Sequence, residues 1–265
     1  ILKANPNYWE GAPGLAEVHV IAIPDGEARV QALLTGQIDM NRYVQFSQKK
    51  IFDGNSKFKT SVIPTGNWRG MVMNTERAPF DNPKVRKAVR LAVDRQELVD
   101  TVMGGEAVVS CDTPVAPTDQ YRHNMSCKQN IAEAKKLLKE AGYPNGIEMV
   151  IHVSTKEPTW PTIAEVIQQQ VAKAGIKVDI KMTPSKSYWK ETWMKKDVAM
   201  TRWNERSADS VLHEVYHSSA KWNESYYKSS DFDKNLADAR GELDFKKRKA
   251  LYVKAQHTLW EQSQF

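Results

Sequence analysis

Residues 68–105 read WRGMVMNTERAPFDNPKVRKAVRLAVDRQELVDTVMGG, and local signals in this stretch join a strand to a helix. The apolar run at 71–73 predicts the end of the strand. Asn82 followed by Pro83 predicts the start of the helix, because Asn caps helices and proline fits the first turn, where its missing N–H costs nothing. Gly104 predicts the end. A single helix between these signals would have one apolar face, formed by Val85, Ala88, Val89, Ala92, Val93, Val99 and Val102.

Strands and helices alternate along most of the chain. Residues 15–23 read as a strand, 27–34 as a helix and 38–40 as a second strand, which together predict one β-α-β unit. The order recurs further on, with strands predicted at 147–153, 176–182 and 198–203 and helices at 131–141, 163–174, 187–194, 209–218, 230–240 and 245–260. We therefore expect an α/β fold in which a mostly parallel or mixed sheet is flanked by helices.

The composition allows a sizeable core and argues against two classes of partner. The chain has 265 residues, of which 41% are hydrophobic, enough for one large or two modest domains. No run approaches the roughly 18 apolar residues of a membrane-spanning helix. The net charge is +6, but the basic clusters at 195–196 and 246–249 lie in amphipathic helical patterns. A solvated surface is therefore favoured over a nucleic-acid interface.

The two cysteines, Cys111 and Cys127, both fall in a loop rich in Pro, Asp and Asn. In an oxidising compartment they would close a loop of about 15 residues, which the chain-entropy model values at on the order of 3 kcal/mol. We predict a local disulfide, with two free thiols as the alternative. Neither cysteine has a CxxC partner, so a redox or structural zinc role is not expected.

Several blocks of sequence resemble one family in that family's order. They are NPNYWEG at 5–11, EARVQALLTGQIDM at 27–40, APFDNPKVRKAVRLAVDRQELV at 78–99, AEAKKLLKEAGYPNG at 132–146 and FDKNLADARGELDFKKRKALYVKAQ at 232–256. The family is the bacterial extracytoplasmic solute-binding proteins, family 5, which serve peptide and nickel ABC transporters. The matching blocks are spread over nearly the whole chain.

This resemblance implies a two-lobed periplasmic-binding-protein fold, type II-like and of cluster C. It implies that the chain is a fragment, with residues 1–65 as part of lobe I and residues 66–265 as most of lobe II. The expected protein is a monomer that is periplasmic, or lipid-anchored outside the cytoplasmic membrane. It would deliver its solute to the permease subunits of an ABC transporter in the inner membrane, and no cofactor and no enzymatic activity are expected.

One catalytic-looking motif is present. His213, Glu214 and His217 fit HExxH, in which two histidines on one helix face hold zinc and the glutamate activates water. A third ligand would be needed, and Glu224 or Glu242 are candidates. The alternative is an ordinary amphipathic helix. No GxSxG, P-loop or GxGxxG stretch accompanies the motif, so catalysis has little support from the sequence.

The segment at 201–209 follows a predicted strand, where open α/β sheets bind their ligands. In peptide-binding members of the similar family, this segment carries Trp, two further residues and then an Asp that pairs with the ligand's amino terminus. Trp203 matches the aromatic residue, and Asn204 is a weaker ligand candidate. Arg206 stands at the Asp position, which reverses the charge that the site prefers.

A guanidinium at this position predicts an anionic ligand group, because its planar fork recognises carboxylate or phosphate through two hydrogen bonds. An opine or another carboxylate-bearing solute then becomes as plausible as an ordinary peptide. Asp209 lies nearby and could bind an amine if the register slips. The structural alternative for Arg206 is an ion pair with Glu205, Asp209 or a surface partner.

Tryptophans at loop positions are candidate walls of a ligand cleft, since aromatic rings give an enclosed ligand apolar area and stacking. Trp68 and Trp203 are the main candidates. Asn67, Trp160 and Trp222 are weaker ones, and Tyr43 is expected to face the cleft from lobe I.

The sequence therefore predicts the solute-binding component of an ABC import system, which captures a small peptide or a carboxylate-bearing peptide-like solute between two lobes. One alternative is a zinc-dependent hydrolase that uses His213, Glu214 and His217. Another is an opine, sugar or nickel-chelate binding protein of the same fold.

Overall fold

The computed structural model describes residues 1–63 and 65–262. The chain divides into two compact units, Ile1–Ser61 and Val62–Phe265. The assignment of residues 1–65 and 66–265 to two lobes stays a prediction. Among the described residues, no helix combines the length and apolar character that crossing a membrane requires.

The first unit contains short elements. β1 (Leu2–Lys3) and β2 (Glu17–Val18) pair antiparallel. α1 (Gly26–Leu34) matches the predicted helix, and the Asp25 side chain caps it by accepting the Ala28 N–H at 2.8 Å. α2 covers Phe46–Lys49.

The predictions of strands at 15–23 and 38–40 were wrong for most of these residues. Only Glu17–Val18 forms part of a ladder, and residues 38–40 are not in a strand. A strand is defined by its pairing with a neighbour. The Ile38 N–H instead donates to the Ala32 carbonyl at the end of α1, so the predicted β-α-β unit does not form.

A four-stranded mixed sheet organises the second unit, which confirms the predicted fold class. Its strands are β3 (Trp68–Met73), β4 (Ile147–Ser154), β5 (Ile176–Thr183) and β6 (Val198–Trp203), in the order β3-β6-β4-β5. β3 runs antiparallel to β6, whereas β4 runs parallel to both β5 and β6.

The helices of the second unit follow the predicted order. They are α3 (Pro83–Leu91), α4 (Arg95–Met103), α5 (Ile131–Glu140), α6 (Trp160–Ala172), α7 (Ser185–Ser187), α8 (Ala208–Tyr216), α9 (Ser230–Gly241) and α10 (Phe245–Glu261). A π-helical turn, Tyr188–Thr192, follows α7. Trp160, a weaker candidate for the cleft, is fully buried in the core.

The single helix predicted after Pro83 is in fact two helices. The start is as predicted, with Asn82 accepting the Lys84 N–H at 2.9 Å, and Gly104 ends the second helix in a left-handed conformation. Between them Asp94 begins a new helix, because its side chain accepts the backbone N–H groups of Gln96 and Glu97. An Asp at this position competes with helix continuation because its side chain satisfies the first free N–H groups of a new helix.

Two hydrophobic clusters support the sheet. The first contains Met71, Met73 and Met200 together with residues of α3, α5 and α6. The second contains buried residues of α8, α9 and α10, and Trp68 and Trp203 pack against it. Because side chains alternate along a strand, Met71 and Trp68 lie on opposite faces of β3.

The predicted disulfide between Cys111 and Cys127 is present. Replacing both cysteines by serine is expected to lower the free energy of unfolding by at most about 3 kcal/mol, because the cross-link restricts the unfolded chain. Urea unfolding followed by circular dichroism measures this change. Wild-type protein with the reduced disulfide should match the double variant, and an unchanged unfolding midpoint in both samples would contradict the prediction.

Candidate functional site

One edge of the four-stranded sheet gathers several of the predicted ligand residues. β4, β5 and β6 are parallel, so they end at the same edge, while the antiparallel β3 begins there. We call this end of the strands the carboxyl edge; it contains Trp68, Ser154, Thr183 and Trp203. Open α/β sheets bind ligands outside the carboxyl ends of their strands. Here that region includes Trp68 at the start of β3, Trp203 at the end of β6 and the loop that follows Trp203.

Three tryptophans form an aromatic group at the carboxyl edge. Trp68 and Trp203 face each other as a registered cross-strand pair. The rings of Trp203 and Trp222 lie 5.7 Å apart between centroids, at an interplanar angle of 56°. Gly70 leaves room for the Trp68 ring, since a Cβ there would lie 3.2 Å from a ring carbon. The structure thus places the three predicted tryptophans in one region.

Asn67 positions the loop after β6. Its Oδ1 accepts the backbone N–H of Glu205 at 2.7 Å. The preceding Gly66 is required for this contact, because a Cβ would lie 2.6 Å from Cγ of Glu205 and 2.7 Å from Cβ of Ala116. Asn204, the first residue of the loop, is exposed. The segment that leads into β3 therefore fixes the loop that carries Asn204 and Arg206.

Arg206 already has an acidic partner within the protein. Its Nε donates to Glu214 on α8 at 3.2 Å, and the side chain is 37% exposed. Glu214 also accepts a hydrogen bond from Ser210 at 2.8 Å. The guanidinium lies 6.0 Å from the centroid of the Trp203 ring. The ion pair foreseen as an alternative thus forms, with Glu214 as the surface partner.

Asp209 is held by two neighbouring helices. Arg240 donates to both of its carboxylate oxygens, at 2.7 and 2.9 Å, and the Tyr252 hydroxyl donates at 2.9 Å. Burial alone would raise the pKa of Asp209, but these hydrogen bonds outweigh it and hold the pKa below its ordinary value. The carboxylate would have to give up these partners to bind an amine.

The geometry of the HExxH residues does not favour a zinc site. His217 lies past the end of α8 with extended backbone, and its Nδ1 accepts the Ser219 N–H at 3.1 Å. His213 lies beside Arg240, 3.2 Å from Nδ1 to a guanidinium nitrogen, and burial and this cation lower the pKa of His213. Within residues 1–63 and 65–262, no group of three or more His, Cys, Asp or Glu side chains is arranged to hold a metal.

Glu224, considered from the sequence only as a zinc ligand, lies buried beneath the aromatic group. Its Oε1 accepts hydrogen bonds from Trp193 at 2.6 Å, Thr201 at 2.8 Å and Trp203 at 3.1 Å. Its Oε2 is buried and has no hydrogen-bond partner among the described residues. Burial raises the pKa of Glu224 to about 7, although the three hydrogen bonds lower it. Glu224 therefore orients the indole of Trp203.

Tyr43 belongs to the first unit, where its ring is largely exposed. The guanidinium of Arg42 lies over the ring, 5.0 Å from its centroid. Its role as a cleft residue stays a prediction.

Comparison with known proteins gives one consistent family. The model of bacterial extracellular solute-binding proteins, family 5 Middle, matches residues 1–244. The glutathione-binding protein GsiB of Pectobacterium atrosepticum is 28% identical over 267 residues, which cover 96% of this chain and 52% of the relative. GsiB of Escherichia coli strain K12 is 28% identical over 277 residues. The chain spans about half the length of the curated relatives it matches.

Solved structures show the same architecture. The periplasmic binding protein DppA from Helicobacter pylori, in complex with the peptide STSA, aligns with a TM-score of 0.82 and 29% identity, covering 98% of this chain and 53% of that one. NikZ from Campylobacter jejuni, in complex with Ni(L-His), aligns with a TM-score of 0.85 at 21% identity and covers 98% of this chain and 56% of that one. The second likeness supports the fold alone.

Proposed function

This chain belongs to the bacterial extracellular solute-binding proteins of family 5, and we propose that it is the solute-binding component of an ABC import system. The observation that carries the proposal is the family match over residues 1–244. GsiB and DppA are named as binding proteins rather than as enzymes, which supports a role in recognition instead of catalysis.

The proposed solute is a small peptide or a carboxylate-bearing peptide-like compound. The aromatic group at the carboxyl edge supports this choice, because Trp68, Trp203 and Trp222 offer apolar area for stacking beside a polar loop. Two relatives bind related compounds by name, one glutathione and the other the peptide STSA.

The complete protein would act outside the cytoplasmic membrane as a carrier. Capture between two lobes would shift an equilibrium between open and closed forms, and the closed form would be recognised by permease subunits in the inner membrane. A monomer suffices for this role and no cofactor is needed. The ligand supplies the free energy of closure through its greater affinity for the closed form.

Native mass spectrometry of the full-length natural protein, purified gently, tests the proposal. We expect a small organic mass that is lost on denaturation, and its identity would give the solute class. One zinc ion per chain with no organic adduct would instead support the hydrolase that His213, Glu214 and His217 would form. Glu214→Gln would then abolish activity.

We propose that Arg206 contacts the solute only after it gives up its ion pair with Glu214. Because a partly exposed ion pair is worth little, Arg206→Ala is expected to weaken binding of the identified solute by about two- to fivefold. Isothermal titration calorimetry measures the affinity. Unchanged affinity for every tested solute would remove Arg206 from the site.

A further inference from the structure

A pair of arginines lies at the carboxyl edge, on the face of the sheet opposite to the tryptophan pair. Arg69 and Arg202 are direct cross-strand partners in the β3–β6 ladder, one residue further into the sheet than Trp68 and Trp203. By the alternation of side chains, Arg69 shares a face with Met71 and Arg202 shares that face with Met200. The two guanidinium groups thus belong to the rim of the first hydrophobic cluster.

These two arginines share a single nearby carboxylate. Arg202 donates from Nε to Oε1 of Glu157 at 2.8 Å, and Glu157 lies in the loop after β4 with only 16% of its side chain exposed. The Arg69 side chain has no hydrogen-bond or ion-pair partner within residues 1–63 and 65–262, although it lies in the field of both Glu157 and Arg202. The cluster therefore carries one uncompensated positive charge.

Both arginines are exposed, and an anion bound between them would reduce their mutual repulsion. Like charges directly opposite each other on antiparallel strands destabilise the pair. The desolvation of Arg69 and the proximity of Arg202 both lower the pKa of Arg69, and Glu157 only partly opposes them. Arg206 differs in this respect, since Glu214 already neutralises it. Of the three arginines at this edge, Arg69 is the one with no acidic partner among the described residues, whereas Arg202 and Arg206 each donate to a carboxylate through Nε.

We propose that Arg69 and Arg202 form a subsite that binds a carboxylate group of the solute. The inference rests on the proposed function and names the residues that select an acidic solute. Arg69 would supply the free planar fork that a carboxylate accepts through two hydrogen bonds. Arg202 stays tethered to Glu157 and adds positive charge. Trp68 and Trp203 lie at the same strand ends but on the opposite face of the sheet. A solute that crosses the strand ends can therefore stack on a tryptophan ring and place its carboxylate at Arg69.

The test compares two probes that differ only in the charge of one group. They are the peptide Ser-Thr-Ser-Ala with a free carboxyl terminus and the same peptide with a carboxamide terminus, with glutathione as a second acidic probe. Full-length natural protein is titrated with each probe in isothermal titration calorimetry. We expect the wild type to prefer the free acid over the amide by about 10- to 100-fold, the usual effect of a charge-assisted hydrogen-bonded pair.

The variants Arg69→Gln and Arg202→Gln identify the cations responsible. Arg69→Gln is expected to weaken binding of the free acid by about 10- to 100-fold and to leave binding of the amide unchanged. Arg202→Gln should give a smaller loss with the same selectivity. The matched control is Arg77→Gln, which removes the same charge at the opposite edge of the same strand pair, where Arg77 pairs with Asp197 at 2.8 Å. This control should bind both peptides as the wild type does.

Glu157→Gln provides a result that a purely structural role would not give. Removal of the competing carboxylate should tighten binding of the free acid and not of the amide. Equal binding of acid and amide by the wild type, or an equal loss for both peptides in Arg69→Gln, would overturn the subsite and leave the proposed function standing. If none of the three probes binds, the subsite for the carboxylate of a small peptide fails, while the organic mass sought by native mass spectrometry decides the proposed function separately.

Discussion

Replacing Asp112 by Asn is expected to lower the free energy of unfolding by about 3–5 kcal/mol, the usual result of removing one partner from a buried ion pair. Arg95 donates to both oxygens of Asp112, at 2.7 and 2.6 Å, and Arg90 lies 3.3 Å from it. The side chains of Asp112 and Arg90 are only 11% and 4% exposed. One carboxylate therefore compensates two guanidinium groups that are largely removed from water.

Asn is the informative replacement because it keeps the local backbone conformation. Asp112 has a φ of 57°, in the left-handed region, which Asn and Asp tolerate better than other side chains with a Cβ. The loss in Asp112→Asn thus reports the charge rather than the turn. Asp112 also follows Cys111, so the disulfide and the ion pairs hold the same loop.

Urea unfolding followed by circular dichroism measures the effect. The control is Asp238→Asn, which removes an exposed pair with Lys234 and should cost less than about 1 kcal/mol. A loss for Asp112→Asn no larger than that of the control would show that Arg90 and Arg95 find other compensation.

Replacing Glu224 by Gln is expected to stabilise the protein at pH 8 by on the order of 3 kcal/mol and to change little at pH 4. Burial raises the pKa of Glu224 to about 7, against an ordinary value of 4.5. The folded protein then holds this proton more tightly than the unfolded chain does. The stability that this group contributes is complete below pH 4.5 and is lost as the pH rises through 7. A glutamine side chain is neutral at every pH, so the variant does not lose this contribution to stability as the pH rises.

The amide can keep the contacts that matter for the site. Its oxygen can accept from Trp193, Thr201 and Trp203 as Oε1 of Glu224 does. The orientation of the Trp203 indole should therefore survive the substitution. Glu224→Ala, which removes the acceptor, is the variant expected to release the ring.

Unfolding free energies of wild type and Glu224→Gln between pH 4 and pH 8 test this prediction. The difference between the two proteins isolates Glu224, because carboxylates with lowered pKa values, such as Asp209, titrate alike in both. The control variant is Glu148→Gln, because Glu148 is exposed and its pKa is lowered, rather than raised, by a hydrogen bond from Lys177. Parallel curves for wild type and Glu224→Gln would contradict the prediction.

Features that depend on neighbours along the chain could be predicted from the sequence. Asn82 and Pro83 start α3 because a cap and a first-turn proline act within one helical turn. The strands β4, β5 and β6 follow from short apolar runs bounded by turn residues. The ordered blocks of matching sequence gave the family, and the close spacing of Cys111 and Cys127 gave their disulfide.

Prediction from neighbouring residues fails where two local signals compete. The apolar pattern around Ala92 and Val93 predicts a continuous helix, but the capping side chain of Asp94 begins a second one. In the first unit, residues 38–40 have strand-like composition but no pairing strand within the unit. Pairing is a property of two segments, so one segment cannot specify it.

The charges that remain available for a ligand could not be predicted from the sequence, because they depend on packing between distant segments. The sequence shows Arg206 at a position expected to bind, but the packing of α8 gives it Glu214, and α9 gives Asp209 its partner Arg240. The register of β3 with β6 sets Arg69 against Arg202, and the fold buries Glu224 under Trp203. The strength of a charge depends on its distance from other charges and from water, and both are fixed only when segments distant in sequence pack together.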